Sequence, residues 1–101
     1  MTDIEIPFNA WSVDRIKAGR KWATTRRTRK GKPGDRFLVE GELYELVEVH
    51  PVTLADVARL HYMREGCESP EEFIEVWKGI HPRAGWRPDQ RVFIHLFQKV
   101  V

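Results

Sequence analysis

At 101 residues, 42% of them hydrophobic and 32% charged, the chain has the size and balance of one globular domain with a single modest core. Its one cysteine, Cys67, excludes an internal disulfide, and with neither an apolar leader nor a run of roughly 18 apolar residues the expectation is a reducing, cytoplasmic protein that does not enter a membrane. The net charge is only +2 but is unevenly spread: Arg15, Lys17, Arg20, Lys21, Arg26, Arg27, Arg29, Lys30 and Lys32 are nine of the seventeen basic residues, and residues 15–34 contain no acid.

Residues 4–8, Ile4-Glu5-Ile6-Pro7-Phe8, alternate apolar and polar as a short strand does, and Pro7 limits it to an edge or a strand end. Asn9 is placed to cap a helix running to Ala18 with Trp11, Val13 and Ile16 as its apolar positions, and Gly19 ends it in a left-handed conformation. Residues 21–26 read as an extended strand with Trp22, Thr24 and Arg26 on one face and Lys21 and Thr25 on the other. A contact between Lys21 and Thr24 therefore requires a twist at the first residue. Residues 27–32 read as a mobile, solvated loop, followed by a turn at Lys32-Pro33-Gly34-Asp35.

Residues 36–40 and 42–49 read as two strands joined at Gly41, and the loose alternation of Leu43, Tyr44, Leu46, Val47 and Val49 predicts a bend or bulge. Thr53 caps a second helix, with Leu54, Val57, Ala58 and His61 as its apolar stripe and Gly66 as its end. Glu65 then falls in the last helical turn, where the helix dipole disfavours a carboxylate. Ser69-Pro70-Glu71-Glu72 is a capping-box start for a third helix that buries Phe73, Ile74, Trp77 and Ile80 and ends near His81-Pro82. After a loop carrying Arg83, Trp86 and Arg87, residues 91–101 form a closing strand. Its two apolar faces, Val92, Ile94 and Leu96 against Phe93, His95 and Phe97, predict cover on both sides.

The stretch Gly19-Arg20-Lys21-Trp22-Ala23-Thr24-Thr25-Arg26 combines an amine, two hydroxyls, an indole and two guanidiniums, a mixture suited to holding or attacking a polar ligand. The basic residues that follow, Arg27 and Arg29 among them, suit the gripping of phosphates. Trp22 and Trp86 are candidates for stacking on a base, whereas Trp11 and Trp77 fit helical core stripes. His50, His61, His81 and His95 lack ligand spacing and Cys67 has no histidine near it in sequence, so neither a metal site nor a cofactor is expected.

Ala18-Gly19-Arg20-Lys21, Thr24 and Arg26, Pro33-Gly34-Asp35 leading into a strand, Glu65-Gly66, the Ser69-Pro70-Glu71-Glu72-Phe73 helix with Trp77, His81-Pro82 and a closing strand through Phe97 together resemble the ASCH family, small proteins related to the PUA RNA-binding fold. The resemblance runs in order through nearly the whole chain. It implies an α+β fold: one ASCH domain over residues 1–101, with a PUA-like β-barrel of about five to six mixed strands, two to three flanking helices, and a pocket between them facing nucleic acid or a nucleoside. Some small members are amidohydrolases that remove the acetyl group of N4-acetylcytidine, and their catalytic residues fall on Lys21, Thr24 and Glu65. This chain departs from them at Trp22, where they carry a small hydroxyl residue, and at Thr25, where they carry an aliphatic one. Other members bind RNA, and a ribonuclease activity is attributed to some.

The leading expectation is thus binding of RNA or a modified nucleoside, by a monomer, in a pocket lined by Lys21, Thr24, Arg26 and Glu65 and assisted by Arg20, Trp22, Arg27, Arg29 and Trp86. The alternative is an amidohydrolase of the N4-acetylcytidine type. There Thr24 is the nucleophile, a neutral Lys21 takes its proton, Glu65 orients the amine, and Arg26 meets the oxyanion or the base carbonyl. A weaker alternative is a ribonuclease.

Overall fold

The computed structural model describes residues 3–101. Each helix among them begins at a residue whose side-chain oxygen accepts the backbone N–H three positions ahead, which satisfies one of the four donors that a helix start leaves open. Asn9 does this for α1 (Ala10–Lys17), Thr53 for α2 (Leu54–Leu60) and Ser69 for α3 (Pro70–Ile80), with distances of 2.8, 3.2 and 3.1 Å. The capping box on α3 is displaced by one residue, because Glu72 reaches back to the backbone N–H of Glu68 at 2.7 Å rather than to that of Ser69.

Four strands complete the described residues: β1 (Ala23–Arg26), β2 (Arg36–Val39), β3 (Glu42–Thr53) and β4 (Arg91–Lys99). They form one antiparallel sheet in the order β1-β4-β3-β2, with Ala23 opposite Leu96, Val49 opposite His95 and Phe37 opposite Tyr44. The predicted bulge is present where the β3–β4 register slips between Leu46 and Glu48, and it lets the 12-residue β3 bend and turn Val47 outward.

The sheet is a curled half-barrel of four strands, not the closed barrel of five to six that the resemblance implies. Its outer strands, β1 and β2, have four residues each and do not pair with one another. The expected strand at residues 4–8 is reduced to one parallel bridge, Asp3 to Arg36, with the Ile4 N–H on the Arg36 carbonyl at 2.7 Å. Pro7 has no N–H to extend that pairing, and Ile4, Ile6 and Phe8 instead pack inward.

Two main apolar clusters sit on the sheet. One joins Ile6 and Ile16 to Phe37, Val39, Tyr44, Leu46, Val49 and Phe97. The other joins Leu54, Val57 and Ala58 of α2 to Phe73 and Trp77 of α3 and Val92 of β4. As its two apolar faces predict, β4 is buried on both sides in its middle, and His95 is 0% exposed. No helix among the described residues is long and apolar enough to cross a membrane.

Two expectations near the site are corrected. The second helix does not reach Gly66: it stops at Leu60, and residues 61–66 fold into turns closed by Glu65 N–H on the His61 carbonyl and Gly66 N–H on that of Met63, at 3.2 and 3.0 Å. Residues 27–32, expected to be mobile, are tied at the backbone. The Lys30 N–H donates to His95 Nε2 and the Lys32 N–H to Asp35 Oδ2, each at 3.0 Å.

Candidate functional site

The site begins where α1 ends. Gly19, at φ +76°, turns the chain so that the N–H groups of Arg20 and Lys21 both donate to the Arg15 carbonyl, at 2.9 and 3.1 Å. The next two N–H groups, of Trp22 and Ala23, both donate to the Arg64 carbonyl at 2.8 and 2.9 Å, while the Trp22 carbonyl accepts from Phe97 on β4 at 3.0 Å. The entry to β1 is thereby fixed between the 61–66 turn and the central strand.

This clamp sets Lys21 against Glu65. Lys21 Nζ lies 2.9 Å from Glu65 Oε1 and 3.2 Å from the Glu65 carbonyl oxygen, with the two side chains 4% and 5% exposed. The second carboxylate oxygen accepts from Thr25 Oγ1 at 2.6 Å. An ion pair this buried repays its desolvation only with good geometry and further hydrogen bonds, and both conditions are met. Gly66 makes room for it: at φ +88°, a Cβ there would stand 3.0 Å from Lys21 Cβ and from Arg15 Cδ.

Thr24 lies beside this group without joining it. Its Oγ1 accepts from Arg26 Nε at 3.2 Å, and Arg26 Nη2 donates to the Pro7 carbonyl at 2.6 Å. Lys21, Thr24, Thr25, Arg26 and Glu65 line one cavity of about 410 Å³, whose apolar walls include Phe8, Trp11, Phe73 and Trp77, with His81 and Cys67 between them.

Burial pulls the Arg26 guanidinium below its usual value, partly offset by the charge of Glu65, and the group stays a cation. Burial, reinforced by Glu72 and Glu65, pushes the Cys67 thiol up to about 12, so it is not a nucleophile near neutral pH. Burial also lowers His81, helped by Arg27 and Arg26, and its imidazole is neutral at pH 7. His95 is lowered chiefly by burial, against the raising effect of its bond to the Thr24 carbonyl. Because the Lys30 N–H can only donate, His95 Nε2 must accept, and Nδ1 carries the proton given to the Thr24 carbonyl at 3.2 Å.

No protein-family model matches the sequence, and no curated protein is found to be similar. Solved structures, however, match through nearly its whole length. An ASCH domain from Lactobacillus crispatus JV V101 aligns over 97% of this chain and 78% of its own, with a TM-score of 0.71 and 14% identity. The hypothetical protein PH0355 aligns over 98% of this chain and 100% of its own, with a TM-score of 0.73 and 18% identity. PF0455 from Pyrococcus furiosus aligns over 98% of each, with a TM-score of 0.64 and 17% identity. The fold is ASCH-like. At such identities the likeness is one of architecture.

Within this ASCH-like fold the sequence candidates separate. Lys21, Thr24, Arg26 and Glu65 meet at the cavity. Arg20 does not line it and sits on the surface, 3.4 Å from Glu68. Trp22 is 44% exposed, outside the cavity, with the Arg64 guanidinium 5.0 Å from its ring. Trp86 packs edge-on against Phe73 at 6.2 Å and is also outside. Arg27 and Arg29 are exposed, Arg27 close enough to bias His81 and Arg29 donating to the Gly31 carbonyl at 3.2 Å. Among the described residues Arg26, Arg27, Arg29, Lys30 and Lys32 form no ion pair. Thr25, which lies in the stretch singled out but is given no role by the sequence, and Phe8, Trp11, Trp77 and His81, which the sequence does not single out for a ligand, also line the cavity. Only Thr25 carried a signal, since strand alternation puts it on the Lys21 side.

Proposed function

We propose that this ASCH-like domain binds RNA or a modified nucleoside, taking a base into the cavity beside Lys21 and Glu65 while phosphates meet the free cations of residues 26–32. The observation that carries this reading is a juxtaposition. A cavity with aromatic walls and a buried, charge-balanced floor adjoins a run of cations that no carboxylate neutralises. Flat apolar walls suit a base, since stacking on an aromatic side chain contributes about 1–3 kcal/mol per base. Unpaired cations suit phosphates, and each one engaged by a single strand steepens the salt dependence of log K by roughly 0.7. The test is fluorescence anisotropy with single-stranded RNA across a salt series. Affinity that falls steeply with salt, and less steeply in Arg27→Ala/Arg29→Ala, is the expected result; absence of binding, or binding indifferent to both changes, refutes it.

A second reading, amidohydrolysis of an N4-acylated cytidine, is favoured by two hydroxyls, a lysine and a carboxylate lining one cavity. On this reading the contacts favour a different distribution of roles. Lys21 Nζ faces Glu65 at 2.9 Å and makes no hydrogen bond with Thr24 Oγ1, which is held by Arg26. Thr25, in contrast, already donates its proton to a carboxylate. Turnover of N4-acetylcytidine by the wild type, Lys21→Ala, Thr24→Ala and Thr25→Ala separates the readings. Deacylation lost with Lys21 and with either threonine establishes the enzyme and identifies its nucleophile, whereas a folded wild type without turnover leaves the binding role.

A further inference from the structure

We infer that the cavity takes a nucleotide rather than a free nucleoside, and that it holds a subsite for one phosphate, as a phosphodiester, between the Arg26 guanidinium and the first turn of α1. The inference rests on the proposed reading that the cavity receives a base. The ionisable side chains that line the cavity are Lys21, Arg26, Glu65, Cys67 and His81. Near pH 7 Cys67 is a thiol and His81 a neutral imidazole. Lys21 and Glu65 bond each other, and wherever the proton between them lies, that pair sums to zero. Arg26 is left over. It feels the charge of Glu65 but forms no ion pair among the described residues. The wall therefore carries one positive charge with nothing in it to balance that charge. A partly buried cation without a counter-charge is unfavourable, and a ligand bearing one negative charge relieves it.

The place of the subsite follows from what holds Arg26. Its Nη2 donates to the Pro7 carbonyl at 2.6 Å and its guanidinium carbon lies 5.1 Å from the centre of the Phe8 ring, so the charge sits just ahead of Asn9, the cap of α1. Pro7, Phe8, Asn9, Trp11 and Ser12 all line the cavity, which makes the first turn of this eight-residue helix part of the wall. That turn contains no acid, and a helix start attracts anions. Ser12 gives independent support. It is 8% exposed and its N–H is taken by Asn9 Oδ1, yet its hydroxyl bonds no described residue. Three unpartnered side-chain atoms among the described residues are sealed from solvent, His61 Nδ1, Trp77 Nε1 and Gln90 Oε1, and Ser12 Oγ is not one of them. Because Ser12 lines the cavity, its hydroxyl opens onto that space. Acceptors are present too, on Pro7, Asn9 and Glu65, where they suit the donors of a base, but none bears an unmatched charge. A neutral nucleoside leaves Arg26 without a counter-charge. A phosphodiester supplies one, and offers the Ser12 hydroxyl an acceptor.

The test is an NMR titration of the 15N-labelled protein at physiological ionic strength with cytidine, adenosine and the 3′- and 5′-monophosphates of each. At least one monophosphate is expected to bind about tenfold tighter than its parent nucleoside, as a hydrogen bond to a charged group allows, and to move the amides of Asn9 and Ser12 as well as those of Thr24 and Thr25. In Ser12→Ala, a replacement that a helix tolerates, the gain from the phosphate should shrink several-fold while the parent nucleoside binds as before. In Arg27→Ala/Arg29→Ala the gain should persist. A gain lowered by Ser12→Ala supports the inference whatever the loop arginines add. A gain untouched by Ser12→Ala overturns it, and loss of that gain in the arginine double variant would put the phosphate on the outer loop. Nucleosides that move the Thr24 and Thr25 amides, with monophosphates binding no tighter, overturn the inference while the cavity reading stands. No movement of any cavity resonance with any probe overturns both.

Discussion

Lys17, Arg20, Arg36 and Lys99 each lie within 3.4 Å of a glutamate, whereas Arg26, Arg27, Arg29, Lys30 and Lys32 have no carboxylate partner among the described residues. Both sets are basic, and by composition alone nothing distinguishes Lys17 from Lys30. The difference arises in the fold, where the β2–β3 hairpin brings Glu40 to Lys17, Glu42 to Lys99 and Glu45 to Arg36. A neutralised cation attracts a phosphate weakly. The acid-rich hairpin therefore neutralises three of the cations around it and leaves residues 26–32 as the longest run of unpaired ones, so a near-zero net charge conceals an uneven surface.

Lys21 is the limiting case of a paired cation, and removing the charge there tests the comparison most severely. Lys21→Met leaves Glu65 buried and uncompensated, with an expected loss of about 3–5 kcal/mol in urea unfolding. Lys21→Met/Glu65→Leu should recover much of that; no recovery would mean the two side chains are not energetically coupled. Next is the hydroxyl that completes the pair. Thr25→Val is expected to cost about 1.5–3 kcal/mol, as a hydrogen bond to a charged group does, and Thr24→Val less, since Arg26 keeps its bond to Pro7. Equal losses would place Glu65 with the wrong threonine.

Acid probes the unpaired side. The folded value of His95 lies below its ordinary one, so the unfolded chain binds the proton more readily and stability rises with pH across the interval between the two. The stability is complete above about pH 6.5 and is lost as pH falls towards the folded value. His61 and His81 are lowered as well and add to the same trend. A protonated His95 faces Arg26 and Arg29 and must give up the Lys30 N–H, so chemical-shift changes on acidification should begin in residues 27–32. His95→Gln should flatten the acid limb of the stability curve; an unaltered limb would assign it to the other two histidines. The smallest effect belongs to the exposed pairs. Lys17→Ala and Arg20→Ala are expected to change stability by no more than about 0.5 kcal/mol and, on the proposed reading of RNA binding, to leave its salt slope unchanged, while Arg27→Ala lowers that slope by roughly 0.7.

The parts of this architecture that depend on near neighbours could be read in the sequence. Asn9, Thr53 and Ser69 cap as their residue types predict, Gly19 takes the left-handed turn, β3 bulges where its alternation falters, and β4 is covered on both faces. The parts that failed depend on bonds between distant segments. The second helix stops at Leu60, and residues 61–66 form turns whose Arg64 and Glu65 carbonyls accept from β1 and its approach and from Lys21, more than forty residues earlier in the chain. No local signal announces those long-range bonds.

The lining of the cavity was legible by the same measure. Lys21, Thr24, Arg26 and Glu65 do line one cavity, yet alternation had already set Thr25 on the Lys21 side, and it is Thr25 that bonds Glu65. Trp22 and Trp86 show that the identity of an aromatic residue does not reveal which way it faces. Trp77, assigned to the core by its helical spacing, is both core and cavity wall.

The double acceptance at the Arg64 carbonyl has an engineering consequence. The hydrogen bonds of Trp22 and Ala23 to residue 64 use backbone atoms only, and the side chains at 22 and 64 add just an exposed cation–π contact at 5.0 Å, so the frame that holds Lys21 to Glu65 depends little on them. Proline at 22 or 23 would remove a required N–H, but most other replacements of Trp22 or Arg64 leave the bonds intact. The exterior beside the cavity can therefore be rewritten, to graft a new contact or attach a reporter, without disturbing the buried charges beneath it.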